Sequence, residues 1–369
     1  MKEALIFTYS RSYNYGANLQ AFALRNFVRE LGWKCKTIDI RSENQKNNKV
    51  ELRKDFRGLF INFFTLLKMK ELKEGKKKFN DFDYGKEDRL VIDCINEEPD
   101  FKRLNERGKL ADVYIVGSDQ VFSPNLMSPL YFLDFNTEGV KKVSYAASIG
   151  IGNVPKEKEI YFKKHLEKFS FLSVREESAK NILDKIIDKN IEVNIDPVFL
   201  LNKEKWIEIE SPYKKLKPNE YILVYLLYRP NNLNQYLKEL HKKTGLPIVL
   251  IDTTAFRNIY NNLQILDAGP REFIWLIHNA RMVVTSSFHG TAFSIIFKKD
   301  FVAFNNPATP ERINQILEKF DLKNHCQTIN FDLINKSFIL SEENKKNISL
   351  IIKKEQKRSY NYLINAMES

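Results

Sequence analysis

The stretch that decides the fold is ALIFTYSRSYNYGANLQAFALRNFVREL, residues 4–31. Its first six residues predict a buried β-strand, because they are almost all apolar or aromatic. From Gly16 to Leu31 apolar residues such as Leu19 and Phe27 recur at helical spacing, and Gly32 can end the helix. A strand, a short loop and a helix in this order begin a βαβ unit, so the stretch predicts a parallel α/β sheet.

The same alternation continues along the chain in two sets. Further strands are predicted at 35–40, 111–117, 142–148, 171–174, 221–227, 247–251 and 281–286. The polar stretch from Ser211 to Glu220 separates the two sets and contains two prolines, as linkers often do. We therefore predict two Rossmann-like domains facing a cleft, at 1–210 and 211–340, and an amphipathic C-terminal helix at 341–369.

The net charge of +12 is concentrated in one segment. Residues 41–80 contain twelve Lys or Arg and five Asp or Glu, which amounts to +7. We place them in a basic, helical insertion at 41–110 of the N-terminal domain. The apolar run 58–67 lies between the cations of this segment, so residues 49–80 fit an anionic membrane surface. The alternative is a helix that packs on its own domain and has a solvated basic face.

Neither a membrane span nor a disulfide framework is expected. No uncharged apolar run reaches the roughly 18 residues of a spanning helix, and the apolar run at 4–8 is too short for a signal peptide. The three cysteines lie far apart without a C-x-x-C spacing, so no zinc cluster or other metal site is predicted. We therefore expect a cytoplasmic protein, which the basic segment could attach to the inner face of the membrane.

The first candidate loop contains Asn14, Tyr15 and Gly16, between the first strand and its helix. A glycine at a helix start allows a ligand to approach the backbone, and the exposed amides there bind anions. The loop lacks the further glycines of the dinucleotide fingerprint, so NAD is not indicated. An ordinary tight turn is the alternative interpretation.

The second candidate loop contains Ser118, Asp119 and Gln120 and directly follows an apolar strand. A carboxylate at this place can accept a proton from a substrate hydroxyl or bind a sugar. Aspartate also caps helices and turns, so a purely structural role stays open.

The third candidate loop contains Ser287, His289 and Gly290, between a strand and an apolar helix. The start of that helix favours an anion, and histidine can exchange protons with a substrate near neutral pH. Cations near predicted strand or helix ends could complete the site, and Arg175, Arg312 and Lys298 are the candidates.

Six short motifs occur in one order along the chain. They are NYGANLQA at 14–21, VGSDQVF at 116–122, SYAAS at 144–148, SVREESA at 173–179, DPVFL at 196–200 and TSSFHGTAFS at 285–294. Together they make the chain resemble the polysaccharide pyruvyl transferase family. The resemblance covers about residues 5–320, with the basic insertion and the C-terminal helix outside it.

The resemblance implies a GT-B-like fold and a reaction between phosphoenolpyruvate and a sugar, with the domain at 1–210 on the acceptor side and the domain at 211–340 on the donor side. The enzyme would form a pyruvate ketal on a capsule or exopolysaccharide precursor, with phosphoenolpyruvate as donor substrate and no cofactor. The acceptor saccharide would be linked to a lipid or a nucleotide. His289 matches the motif histidine and is assigned to phosphate contact and proton transfer, Arg175 and Arg312 to anion binding, and Asp119 to the acceptor hydroxyl. Other branches of the family have arginine where this chain has Ser287, so another cation must bind the donor.

Two other functions stay open at this stage. A GT-B-type glycosyltransferase could use a nucleotide sugar on the same scaffold, because a fold does not determine its chemistry. A basic nucleic-acid-binding protein would account for the charge. The sequence has no recognition helix, zinc knuckle or aromatic-basic sheet motif, so nucleic acid is not an expected partner.

Overall fold

Two five-stranded parallel sheets organise the chain, each in its own structural unit. The computed structural model describes all residues except 1, 11, 41–49, 51–57, 83–84, 86, 93, 96–97, 255–257, 308, 330–332 and 337. Of the described residues, the first unit contains those within Met1–Glu43, Asp83–Leu201 and Ile351–Ser369. The second unit contains those within Asn44–Phe82 and Asn202–Leu350. The predicted α/β class with two sheet domains is confirmed.

The first unit contains strands β1 to β9. They are β1 (Glu3–Phe7), β2 (Lys34–Asp39), β3 (Arg89–Val91), β4 (Cys94–Ile95), β5 (Glu98–Pro99), β6 (Val113–Val116), β7 (Lys141–Ser144), β8 (Leu172–Val174) and β9 (Ile191–Val193). Its helices are α1 (Tyr15–Glu30), α4 (Phe101–Glu106), α5 (Lys156–Leu166) and α6 (Glu177–Leu183). The sheet order is β3-β2-β1-β6-β7, and β8 and β9 form a parallel pair. The order therefore reverses between β1 and β6.

Strand β1 is buried on both faces, which explains its continuous apolar sequence. Leu5 and Phe7 belong to one hydrophobic core, whereas Ala4 and Ile6 belong to a second. Adjacent side chains of a strand point to opposite faces, so each face of the sheet has its own core. A parallel sheet covered on both sides requires this pattern rather than an alternation of apolar and polar residues.

The second unit contains strands β10 to β14. They are β10 (Ile222–Tyr225), β11 (Ile248–Ile251), β12 (Leu263–Ile265), β13 (Met282–Thr285) and β14 (Asp300–Ala303). Its helices are α2 (Gly58–Leu67), α3 (Met69–Asp81), α7 (Lys203–Ile209), α8 (Leu233–Thr244), α9 (Pro270–His278), α10 (Phe288–Ile296) and α11 (Glu311–Lys319). The last helix, α12 (Glu342–Glu368), has residues in both units. The sheet order β12-β11-β10-β13-β14 repeats that of the first unit, with the reversal between β10 and β13.

Most predicted strands and helices are present, and several short ones were not predicted. Strands β9, β12 and β14 have three or four residues each, too few for a periodicity to stand out. Short 3₁₀ turns complete the secondary structure. They lie at Pro124–Leu126, Pro197–Phe199, Lys323–His325 and Leu333–Asn335.

Helix α3 packs in the second unit, although the predicted insertion 41–110 was placed wholly in the N-terminal domain. Leu72 is buried in a cluster with Leu266. Lys78 forms a 2.9 Å ion pair with Glu272. The order of segments along the chain does not specify which sheet an inserted helix will contact, and this is why the prediction differs. None of the helices in the described residues is long and apolar enough to cross a bilayer.

The close approach of α3 makes Gly75→Ala a test of this packing. A Cβ atom at Gly75 would lie 2.3 Å from the carbonyl oxygen of Leu266. We expect a free energy of unfolding lower by about 1–3 kcal/mol, because overpacking outweighs the better helix propensity of alanine. Glu74→Ala, at an exposed neighbouring position of the same helix, serves as the control. Chemical denaturation of both variants measures the difference, and a more stable Gly75→Ala protein would contradict this packing.

Candidate functional site

Gln20 connects the loops that follow β1 and β6 in the first unit. Its Nε2 donates hydrogen bonds to Thr8 Oγ1 at 2.8 Å and to the Tyr9 carbonyl oxygen at 3.1 Å. Its Oε1 accepts a hydrogen bond from the backbone N–H of Ser118 at 3.1 Å. A buried amide can donate and accept at once, so this one side chain fixes both loops at the point where the strand order reverses.

Asp119 lies at the carboxyl edge of this sheet, just after β6, and its backbone has a left-handed conformation with φ 66°. Its carbonyl oxygen accepts hydrogen bonds from Val121 N and Ser148 N, each at 2.8 Å. Aspartate is among the non-glycine residues that tolerate this region of φ and ψ. The half-buried carboxylate is therefore presented by a fixed turn at the carboxyl end of β6.

Two tyrosines that the sequence analysis did not single out lie near Asp119. The ring centroids of Tyr9 and Tyr131 are 4.7 Å apart. Burial, and then the charge of Asp119, raise the pKa of Tyr9 to about 12. Burial, followed by the charges of Tyr9 and Asp119, also raises the pKa of Tyr131. Both phenols therefore stay protonated at neutral pH and can donate hydrogen bonds beside the carboxylate.

Only one of these tyrosines has a signal in the sequence. Tyr9 ends the apolar run that predicts the first strand, so its place at the strand end could have marked it. Tyr131 lies in a long connection between β6 and β7, and no pattern there indicates a site. Its buried hydroxyl has no hydrogen-bond partner among the described residues.

Arg175 forms buried ion pairs at the same edge. Its Nη1 donates to Asp196 Oδ2 at 2.6 Å, and its Nε donates to Glu176 Oε1 at 2.8 Å. Burial alone would lower the pKa of Arg175, but the carboxylates of Glu176, Asp196 and Asp119 outweigh it and raise that pKa. The guanidinium therefore stabilises a group of acids, and its predicted contact with an anionic donor stays a prediction.

The other predicted residues of the first unit form hydrogen bonds or packing contacts with the rest of the protein. Asn14 caps α1, since its Oδ1 accepts from Ala17 N at 3.1 Å. Ser118 Oγ donates to the Ala146 carbonyl oxygen at 2.6 Å. Tyr15 and Gly16 are buried in the first turn of α1, and the side chain of Gln120 lies against Gly150. These bonds shape the loops, and the predicted ligand contacts of these residues stay predictions.

Ser286 connects the corresponding two loops in the second unit. Its Oγ accepts hydrogen bonds from Leu227 N at 3.1 Å and Tyr228 N at 2.9 Å, and it donates to the Tyr228 carbonyl oxygen at 2.6 Å. Thr285 Oγ1 adds a hydrogen bond to the Tyr225 carbonyl oxygen at 2.7 Å. The loops after β10 and β13 are thus held together where this sheet reverses its order.

His289 lies in the first turn of α10 and is only 4% exposed. The helix is capped by Ser287, whose Oγ accepts from Gly290 N at 3.3 Å. A Cβ atom at Gly290 would lie 2.3 Å from Thr285 Oγ1, so glycine allows the helix to pack close to β13. The imidazole is thereby placed at the carboxyl edge of the sheet, at a helix start that favours anions.

Two arginines lie near the His289 loop, and one of them was predicted. The guanidinium carbon of Arg312 is 5.6 Å from the centre of the Phe288 ring, next to His289. Arg229 is exposed and directly follows Tyr228 in the loop that Ser286 holds. Arg229 was not predicted, although a cation two residues after the predicted strand 221–227 was a usable signal.

Lys298 lies away from this loop. It follows the carboxyl end of α10, about 13 Å along the helix from His289 at 1.5 Å per residue. Its Nζ donates to Ser349 Oγ at 2.6 Å. The structure therefore does not bring Lys298 together with His289.

The predicted site residues form one group in each unit. The first unit holds Asn14, Tyr15, Gly16, Ser118, Asp119, Gln120 and Arg175, and the second holds Ser287, His289, Gly290 and Arg312. Both groups lie at carboxyl ends of parallel strands, the edge at which open α/β sheets bind ligands. The first group can act on hydroxyl groups, and the second can bind an anion.

Comparisons with known proteins identify a family and a fold. A family model described as polysaccharide pyruvyl transferase matches residues 14–307. No curated protein matches the chain. Among solved structures, UGT89C1 of Arabidopsis thaliana complexed with quercetin is similar, with a TM-score of 0.55, 11% identity and 99% of each chain covered. UDP-GlcNAc 2-epimerase of Neisseria meningitidis bound to UDP-GlcNAc gives a TM-score of 0.52, 11% identity, and 99% and 100% coverage. The predicted GT-B-like fold is thereby confirmed.

The ion pairs of Arg175 predict a large effect on stability. Arg175→Met leaves the buried carboxylates of Asp196 and Glu176 without their cation, which should lower the free energy of unfolding by about 3–5 kcal/mol. The control is Arg281→Met, because Arg281 is half exposed in its 2.9 Å pair with Asp300 and should cost no more than about 1 kcal/mol. Denaturant titration measures both variants. Equal losses would mean that Arg175 does not stabilise the group of acids.

Proposed function

The chain belongs to the polysaccharide pyruvyl transferase family, and on that premise we propose that it transfers the enolpyruvyl unit of phosphoenolpyruvate to a sugar of a cell-surface polysaccharide precursor. The products are a pyruvate ketal and inorganic phosphate. The observation that supports the proposal most is that Arg312 of α11 lies against Phe288, the neighbour of His289 at the start of α10, which suits an anionic donor. The donor is a substrate, and the proposal requires no cofactor.

The reaction sets three demands on the protein. A proton is added to the methylene carbon of phosphoenolpyruvate, which leaves positive charge on C2. One sugar hydroxyl attacks C2 and loses its proton to a base. A second hydroxyl then displaces phosphate and closes the ketal, and its proton is transferred to the departing phosphate. A base, a proton donor and a cradle for the phosphate and carboxylate are therefore needed.

The second unit supplies the groups for the donor in this proposal. The N–H groups at the start of α10 face the phosphate, and His289 contacts it and exchanges a proton with the leaving group. Arg312 of α11 binds the carboxylate or the phosphate, and Arg229, in the loop after β10, is a second cation for the donor. These two arginines supply the charge that the family arginine would have brought to the position of Ser287.

The first unit supplies the groups for the acceptor. Asp119 is the base that takes the proton of the attacking hydroxyl. Tyr9 stays neutral beside it, so its O–H group can orient a sugar oxygen without taking the proton of the sugar hydroxyl. Tyr131 is buried and packs against the Tyr9 ring. The acceptor is a saccharide linked to a lipid or a nucleotide on the cytoplasmic side of the membrane.

Thermal unfolding with two small ligands tests the choice of donor. A ligand that binds only the folded protein stabilises it by about 2.7 kcal/mol when its concentration is 100 times its Kd. We therefore expect phosphoenolpyruvate to raise the Tm and UDP to have no effect. Arg312→Gln should reduce the shift, whereas the control Arg281→Gln should not. A shift with UDP alone would indicate a glycosyltransferase that uses a nucleotide sugar. Phosphate release from phosphoenolpyruvate on addition of nucleotide-linked or lipid-linked saccharides then measures turnover.

Substitution of His289 tests its part in the reaction. We expect His289→Ala to abolish transfer. His289→Gln keeps the size of the side chain and a hydrogen-bond donor, but it cannot exchange a proton, so its kcat should fall at least 100-fold. Phosphate release is measured at equal folded concentration. The control is His241→Ala. His241 lies in the last turn of α8, and its imidazole hydrogen-bonds to the Leu246 carbonyl oxygen. Turnover close to that of the wild type in both His289 variants would exclude the assigned role.

A further inference from the structure

Helix α2 has an exposed apolar face. Phe63, Leu66 and Leu67 are 58%, 56% and 65% exposed. Their spacing of three and four residues places them on one side of the helix. In the rest of the described chain, strongly exposed large apolar side chains occur singly along the sequence. A cluster of three in one short helix is typical of a surface that contacts another apolar phase.

Helix α3 directly follows α2 and is packed in the second unit. One residue, Lys68, separates the two helices, and its Nζ bonds to Glu71 at 3.1 Å. Leu72 and Phe79 of α3 are buried, and Gly75 contacts the backbone at Leu266. The apolar face of α2 is therefore exposed while the adjoining helix is packed in the second unit.

The exposed side of α3 is basic. Lys70, Lys73 and Lys77 follow the spacing of one helix face and are all exposed. Lys77 pairs with Asp81 at 3.3 Å, but the two side chains are 62% and 63% exposed, so the pair is weak and leaves Lys77 available to another anion. An apolar helix followed by exposed lysines combines the two contacts that an anionic bilayer offers, since acyl chains take the apolar residues and headgroups take the cations.

We propose that α2 inserts Phe63, Leu66 and Leu67 into the surface of an anionic membrane, with the lysines of α3 on the lipid headgroups. A second copy of the chain fits less well, because face-to-face association would bring the same lysines close to one another. Nucleic acid would leave the apolar face without a partner. The contact does not depend on the proposed reaction, and it would place the enzyme where lipid-linked saccharides lie.

Vesicle sedimentation with the full chain tests the apolar contact. We expect the protein to sediment with vesicles of phosphatidylcholine and phosphatidylglycerol, to stay in solution with phosphatidylcholine alone, and to bind less as salt is raised. A triple variant with Phe63, Leu66 and Leu67 changed to Ser should bind at least tenfold less. The control changes three exposed apolar residues elsewhere to Ser. They are Leu126, Ile160 and Leu350.

A charge variant tests the lysines separately. Lys70, Lys73 and Lys77 are changed to Gln, and we expect weaker binding with less salt dependence. The matched control removes the same charge from exposed residues in and just after α5. They are Lys163, Lys164 and Lys168. The Tm and circular dichroism of each variant verify folding.

Three results would overturn the proposal. One is the absence of sedimentation with anionic vesicles at low salt. Another is equal binding by the Ser variant and its control. The third is a concentration-dependent dimer that the Ser variant loses, which would make the face an interface between two copies. None of these measurements uses catalytic turnover, so their failure is distinct from failure of the proposed reaction.

Discussion

In each sheet the strand order reverses at the centre, and the predicted site residues around Asp119 and around His289 both depend on this reversal. Where two neighbouring parallel strands send their connections in opposite directions, the loops diverge and leave space for a ligand. Polar loops at such a point need their backbone groups satisfied if they are to keep a shape. Gln20 does this between β1 and β6, and Ser286 does it between β10 and β13. Gln20 bonds to both loops of its sheet, and Ser286 bonds from its own loop to the loop after β10, so these side chains help to position Asp119 and His289.

The two edges differ in charge, and this difference matches the two halves of the proposed reaction. At the first edge, Asp119, Glu176 and Asp196 surround one guanidinium, that of Arg175. An edge with more acids than cations suits a base that removes protons from neutral hydroxyls. At the second edge, Arg312 lies against Phe288 at the start of α10, and Arg229 follows Tyr228 in the loop bonded to Ser286. Positive charge and helix N–H groups suit a donor with a phosphate and a carboxylate.

The sequence predicts what is local and does not predict what depends on distant contacts. The first strand and α1 could be predicted, because both cores of the first unit require apolar residues on every side of β1. His289 could be found because a strand end, a cap and a glycine lie within five residues. Tyr131 could not be found, since only folding brings it to Tyr9. The unit in which α3 packs was likewise decided by contacts with Leu266 and Glu272, which lie almost 200 residues further along the chain.

Ser287 shows how a departure from the family pattern can be accommodated by the fold. Its side chain is 1% exposed, and its Oγ caps α10 through Gly290 N. Serine is among the best residues for this position, because it satisfies an N–H that the helix leaves without a partner. An arginine at the same position could not accept that hydrogen bond, so this position can provide either a helix cap or a cation. With serine there, the proposed reaction needs a cation from another element. Arg312 of α11 lies against Phe288, and Arg229 lies in the loop that Ser286 holds, so the second unit has cations close to the start of α10 while the helix keeps its cap.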